Sequence, residues 1–217
     1  MSKPVKSLKS QNRPALTAFI IYCLAVYIVF TTGTTEFWKS LIERFDALNS
    51  KDGMVAFIAP ILCVVITGIL SVSIKEALVF FRYKNALPGH RAFSKLAHKD
   101  KRFKAADIEN KMGIIPEDPD EQNAEWFKLY KRYESDTSII EAHKIFLLTR
   151  DLTAISFIFL ILGTASFSLQ QQVSSPAFRY FIYMLVHYLS IGLAARNYGN
   201  RFVTNVFAVY VTDHRKI

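Results

Sequence analysis

Cysteine is nearly absent from this chain: there are two in 217 residues, Cys23 and Cys63, and both lie inside apolar runs. That excludes a disulfide framework and a thiolate zinc site, so both read as small apolar residues. Glycine (8) and proline (7) are sparse too, which leaves no low-complexity tract, phosphate-loop pattern or dinucleotide fingerprint. No Gly-x-Ser-x-Gly, His-Glu-x-x-His or redox Cys pair occurs. His90, His98 and His143 have no ligand spacing with Cys or carboxylates, and Asp118, Asp120 and Glu121 miss the calcium-loop pattern, so no metal and no cofactor is expected. Acids are outnumbered by bases, 18 to 27, for a formal net charge of +9.

What the chain has instead is apolar length. Half of it is hydrophobic (51%) and its mean hydropathy is +0.19, a balance that puts a membrane class first. About 20 apolar residues cross a bilayer as a helix. Four runs are long enough: Pro14 to Thr35, Met54 to Ile74, Leu152 to Leu169 and Pro176 to Ala195. The last carries Arg179 near its start, where it can snorkel to the headgroups. The first run is too long for a signal h-region and reads as a retained span.

Lys and Arg counts orient the spans. The N-terminal tail has four, the segment Lys75 to Asp151 fifteen, and the tail from Arg196 four. The loop between the first two spans has three, outweighed by acids, and the link between spans three and four has none. The expectation is an all-α integral membrane protein of the inner (plasma) membrane, with four transmembrane helices. Both termini and a small helical insert between spans two and three would be cytoplasmic. The chain divides into 1–81 (tail and first hairpin), 82–150 (insert) and 151–217 (second hairpin and C-terminal helix). Phe37, Leu41, Phe45 and Leu48 predict an amphipathic helix in the first external loop, with Trp38 as an interfacial anchor.

Span two stays helix-compatible until Leu87-Pro88-Gly89. Inside the insert, short helices are predicted around Ala92 to Leu96, around Ala105 to Lys111, and from Pro119 to about Tyr133, the last with Asp118 as N-cap. After an interruption at Glu134 to Asp136, "TSIIEAHKIFLLTRD" leads into span three. Span four runs on through "RNYGNRFVTNVFAVYVTD", with Gly199 as its weak point.

Three groups of residues could carry function. Arg82 to Lys104 holds eight bases and one acid. Arg82, Lys84, His90, Arg91, Lys95, Lys101 and Arg102 offer forked donors and point charges to a phosphate-bearing nucleotide or single-stranded oligonucleotide. The competing reading is topological: cations near the inner leaflet mark the cytoplasmic side and rest on anionic lipid. Trp126 and Tyr130, with Tyr133, fall on one helix face beside lysines, suited either to stacking on bases or to core packing. Tyr180, Tyr183, His187 and Ser190 form a polar stripe through span four, suited to lining a pore or to hydrogen bonding between helices. A lipid-modifying enzyme would have to use Glu141, His143 and Arg91, and is the minor reading.

The stretches "LPGHRAFSKLAHKDKRF", "EQNAEWFKLYKRY", "FLLTRD" and "ARNYGNRFVTNVFA" together resemble a group of small bacterial membrane proteins with four spans and a central cytoplasmic insert. These are transmembrane effectors of anti-phage defence, such as the Hailong-type effectors. The resemblance runs from about Arg82 to Ala208; the Kiwa-type membrane component is similar in span count and size alone. It implies a homo-oligomeric channel, taken as a tetramer, that is not an enzyme. Its gate would answer a nucleic-acid-like signal made by a partner nucleotidyltransferase, and its opening would depolarise the infected cell. The alternative is a non-channel sensor or scaffold that recruits a cytoplasmic partner.

Overall fold

The computed structural model describes residues 7–32, 65–169 and 175–213. The external loop with its amphipathic helix and Trp38, the first half of span two and most of the N-terminal lysines lie outside the described residues. Among the described residues all regular structure is helical. Three helices are long and apolar enough to cross a membrane, with mean hydropathies of 2.1, 2.1 and 1.3 over their best windows. The helices are α1 (Leu8–Thr32), α2 (Val72–Phe80), α3 (Ala105–Met112), α4 (Pro119–Tyr133), α5 (Thr137–Leu169) and α6 (Ser175–Thr212). Residues 65–69 are also helical.

The chain forms two compact units: Met1–Ser71 with Asp151–Ile191, and Val72–Arg150 with Gly192–Ile217. Helices α5 and α6 each contribute one half to either unit.

In the first unit, apolar residues of α1, α5 and α6 meet around Ile20, Cys23, Ile155, Phe167, Tyr180 and Met184, all fully buried. Gly163 lets the Tyr180 ring approach: a Cβ there would sit 2.6 Å from Tyr180 Cε1. The Tyr180 hydroxyl donates to the Phe159 carbonyl at 2.9 Å. Tyr27 and Ser166 share a 2.8 Å hydrogen bond, and the Tyr22 and Tyr183 hydroxyls bond to one another. Polar side chains in an apolar helix thus find partners on neighbouring helices, as the absence of water in a bilayer requires.

The second unit has a conventional core. Val79, Phe80, Phe93, Trp126, Leu129, Ile139, Phe146, Phe202, Val203, Val206 and Phe207 form one buried cluster. Helix α4 begins where its cap chemistry dictates: Asp118 Oδ1 accepts from the backbone N–H groups of Asp120 (2.9 Å) and Glu121 (3.1 Å), with Pro119 at the first helical position. Lys104 and Asp107 open α3, the Asp107 carboxylate accepting the Lys104 N–H at 2.9 Å. The buried amide of Gln122 ties α4 to the preceding turn, accepting from the Ser94 N–H and hydroxyl, both at 3.1 Å. At the end of α6, Lys111 Nζ donates to the carbonyls of Tyr210, Val211 and Asp213, which answers both the orphan acceptors and the helix dipole.

Two features differ from the sequence expectation. Helix α2 stops at Phe80, well before Leu87-Pro88-Gly89: Phe81 and Asn85 both take φ of 51°, an unusual conformation outside glycine. The stop is tertiary, because Arg196 on α6 takes the Val79 carbonyl at 3.2 Å while Val79 and Phe80 are drawn into the core. Gly199 is not a weak point of α6, which continues through it unbroken. Its missing side chain instead admits Phe80 and Phe146, which an added Cβ would meet at 2.8 and 2.9 Å.

Candidate ring-binding cavity and basic segment

After α2 the chain makes a turn of 3-10 helix (Pro88–Arg91) and then a wider turn (Ala92–Leu96) closed by the Ala97 N–H on the Ala92 carbonyl at 2.8 Å. Gly89 presses directly on α4, where an added Cβ would collide with Asn123 and lie 3.1 Å from Trp126 Cε3. Beside this contact lies a cavity of about 200 Å³. Trp126 and Tyr130 come from α4, His143 and Arg150 from α5, Phe202 from α6 and Glu76 from α2.

The rings are ordered by stacking. Trp126 lies parallel to Tyr130 at 5.8 Å, and His143 lies parallel to Phe202 at 4.5 Å. Tyr130 and His143 meet edge to face, their polar atoms 3.2 Å apart. Trp126 Nε1 donates to the Val203 carbonyl at 3.3 Å, so the indole is held at both its polar and apolar ends. Burial pushes the Tyr130 hydroxyl up, opposed by Lys131, so it stays a neutral donor at physiological pH. Burial also raises the Glu76 carboxyl, with Arg150 opposing. The cavity therefore offers flat aromatic walls, a neutral hydroxyl, an imidazole, a carboxyl and a guanidinium. It is smaller than the 300–1,000 Å³ of a typical small-molecule site.

The basic residues divide. Arg82, Lys84, Lys95 and Lys101 are exposed. His90 is held by the Pro119 carbonyl at 3.1 Å and Asp120 at 3.2 Å. Arg102 is committed to the fold: it grips Asp100 with Nε and Nη2 (2.7 Å at the closest), and reaches Asn205 at 2.8 Å and Thr204 at 3.1 Å on α6. Its hydrogen bonds are the main reason the Asp100 carboxyl falls to about 2. Arg91 is half-buried, its Nη1 donating to the carbonyls of Ala86 and Leu87.

Trp126 and Tyr130 thus come together in the cavity, while Lys95 and Lys101 are exposed and Arg102 braces α6. In the first unit Tyr180 is buried, and Tyr183 stacks on His187 at 6.1 Å. His187 also stacks on Phe19 at 5.4 Å and lies 3.5 Å from Ser156 Oγ; Ser190 is exposed.

Arg150, Phe202 and Glu76 do not stand out in the sequence, and His143 is a candidate there only for a lipid-modifying enzyme. One signal was present: 143, 146, 147 and 150 follow helical spacing and mix two cationic-type side chains with two large apolar ones on one face. Among the described residues no cluster of His, Cys, Asp or Glu could hold a metal. Compared with known proteins, the chain matches no family model, no curated protein and no solved structure.

Proposed function

We propose that this chain is a ligand-responsive effector of a bacterial inner membrane, an oligomeric channel of the anti-phage type. Its cytoplasmic insert would bind an anionic nucleotide or oligonucleotide. The observation that supports the reading best is the aromatic cavity bounded by Trp126, Tyr130, His143 and Phe202. The open side of such walls offers a planar base an aromatic surface, and stacking on an aromatic side chain contributes about 1–3 kcal/mol per base. The exposed cations Arg82, Lys84, Lys95 and Lys101 lie between Glu76 and Trp126 in the chain and would attract the phosphates left outside. Gating follows from the walls themselves: His143 and Arg150 lie on α5 and Phe202 on α6, and both helices continue as apolar segments. A ligand that binds one arrangement of these helices more tightly shifts the membrane portion by that difference in affinity.

The test is ion flux from liposomes holding the purified chain, with mononucleotides and short single-stranded oligonucleotides added on the insert side. Flux should change on addition, and Tyr130→Ala should abolish the response while the protein still inserts. A chain that never conducts, with or without these ligands, overturns the channel. One observation favours a second reading, a non-channel sensor or scaffold: Tyr180, Tyr183 and His187 all contact side chains or carbonyls within a single chain. In that case nucleotide binding persists without flux.

A further inference from the structure

We propose that Arg82, Arg91 and Arg196 form a binding site for a phosphate group at the turn that follows α2. Two consecutive aromatic residues organise it. The Arg91 guanidinium lies over the Phe80 ring at 5.3 Å, and that of Arg196 over the Phe81 ring at 4.8 Å. The left-handed turn at Phe81 splits the two rings, one into the core and one outward.

Each of the two arginines uses part of its donor set on the fold. Arg91 spends Nη1 on the Ala86 and Leu87 carbonyls, and Arg196 spends Nε on the Val79 carbonyl. The remaining arms have no acid to meet: among the described residues none of the three arginines is ion-paired with a carboxylate. Arg196 Nη2 is buried with no hydrogen-bond partner among the described residues. A buried charged donor left unmade is among the more costly defects a protein carries, and it points to an acceptor supplied from outside. Like charges compound the cost. Burial, then the nearby charges of Arg82 and Arg196, push the Arg91 guanidinium down from its usual value. Two guanidiniums held over consecutive rings of one turn, with Arg82 next in the chain and no anion among them, are matched by the oxygens of a phosphate, which accept parallel N–H pairs from guanidinium.

The surroundings suggest where that phosphate comes from. Tyr83 and Phe81 are exposed large aromatics on either side of Arg82, with Lys84 next, the mixture found at membrane interfaces. Arg196 follows directly on Ala195, the end of the last apolar run. A phospholipid headgroup and a soluble phosphate present the same chemistry, and the experiment separates them. This inference shares Arg82 with the reading above but uses none of the aromatic cavity, and it stands even if no nucleotide binds there.

The full chain in neutral detergent is mixed with phosphatidylglycerol or phosphatidylcholine and retained lipid is read by native mass spectrometry; inorganic phosphate and pyrophosphate are titrated separately by calorimetry. Retention of phosphatidylglycerol over phosphatidylcholine assigns a lipid headgroup, and binding of the soluble anions alone assigns a free phosphate. In either case Arg82→Gln and Arg196→Lys should each weaken binding about tenfold, and Lys99→Gln, an exposed cation outside the site, should not. Among the described residues Arg82 makes no hydrogen bond to the fold, so that variant stays readable if the Arg196 variant unfolds. Equal retention of both lipids with no binding of the soluble anions, or wild-type affinity in both arginine variants, overturns the site.

Discussion

Between residues 152 and 191 the chain turns many large apolar side chains outward, while between 72 and 150 it gathers most of them inward. Leu162, Phe178 and Val186 of the first unit are 64%, 66% and 58% exposed. In the second unit the aromatic residues of α4, α5 and α6 close on one another around Phe202 and Phe207. The same helices, α5 and α6, do both. Contiguous exposed apolar surface is rare in soluble monomers; for helices this long and this apolar, hydrocarbon is the matching solvent. The lesson concerns glycine and polar groups as much as hydrophobicity. In the first unit close approach and hydrogen bonding link the helices, the contacts that hold helices together where lipid would contribute no hydrophobic drive between them. In the second unit burial itself does the work.

Removing the central ring of the second unit tests that division most severely. Trp126→Ala should destabilise it by about 3–5 kcal/mol, the cost of deleting a buried aromatic with its hydrogen-bond partner. Hydrogen exchange read by mass spectrometry should show lost protection in α4 and in residues 137–150. Protection of 152–167 should be unchanged. Parallel loss in both segments would mean that the two units do not unfold separately.

A glycine pair sharpens the same comparison at smaller cost. Gly to Ala in a helix normally gains about 0.5–1 kcal/mol. At Gly199 the added methyl would lie 2.8 Å from Phe80 and 2.9 Å from Phe146, both in the core, and overpacking there costs about 1–3 kcal/mol. The net should be a loss, visible as a lower unfolding midpoint in detergent. Gly68 has nothing within 4 Å of a built Cβ, so Gly68→Ala should show no such loss. If both substitutions behave alike, the close approach at Gly199 is not what shapes α6.

That glycine also shows where the sequence was readable and where it was not. Helix α4 was legible to the residue, because Asp118, Pro119 and the acids after them are local signals that act within one turn. The continuation of α5 and α6 beyond their apolar runs was legible from unbroken helical spacing. The end of α2 was not: neither Gly nor Pro marks it, and it is set by Arg196 and Gly199, more than a hundred residues further along. For the same reason Trp126 and Tyr130 could be placed on one face, but not opposite His143 and Phe202. Nor could Arg102 be told apart from Lys101, though one braces α6 and the other meets solvent.

The Asp100–Arg102 brace gives a pH signature for the second unit. Arg102 holds the Asp100 carboxyl down at about 2, against an ordinary value of about 3.9. A depressed carboxyl contributes its full stability above the unfolded value, and loses it as pH falls through about 4 toward 2. Because Arg102 is half-exposed, screening limits the contribution to roughly 1 kcal/mol. Unfolding midpoints of the wild type should fall across that window, whereas those of Asp100→Asn should be lower at neutral pH and flatter below pH 4. Equal slopes for the two proteins would remove Asp100 from the acid response.

Glu76 should do the opposite, by the smallest amount. Burial raises its carboxyl, so the folded state holds the proton to higher pH than the unfolded chain does. Its effect on stability is therefore felt as pH rises: nothing is lost below the unfolded value, and stability drops as pH passes through the raised one. Glu76→Gln keeps the shape and removes the charge, so it should be slightly more stable than wild type at neutral pH and indistinguishable from it in acid. Nearby Arg150 opposes the shift, so the gain is set by how far burial outweighs that charge. If Glu76→Gln is instead less stable at neutral pH, the Arg150 attraction outweighs burial.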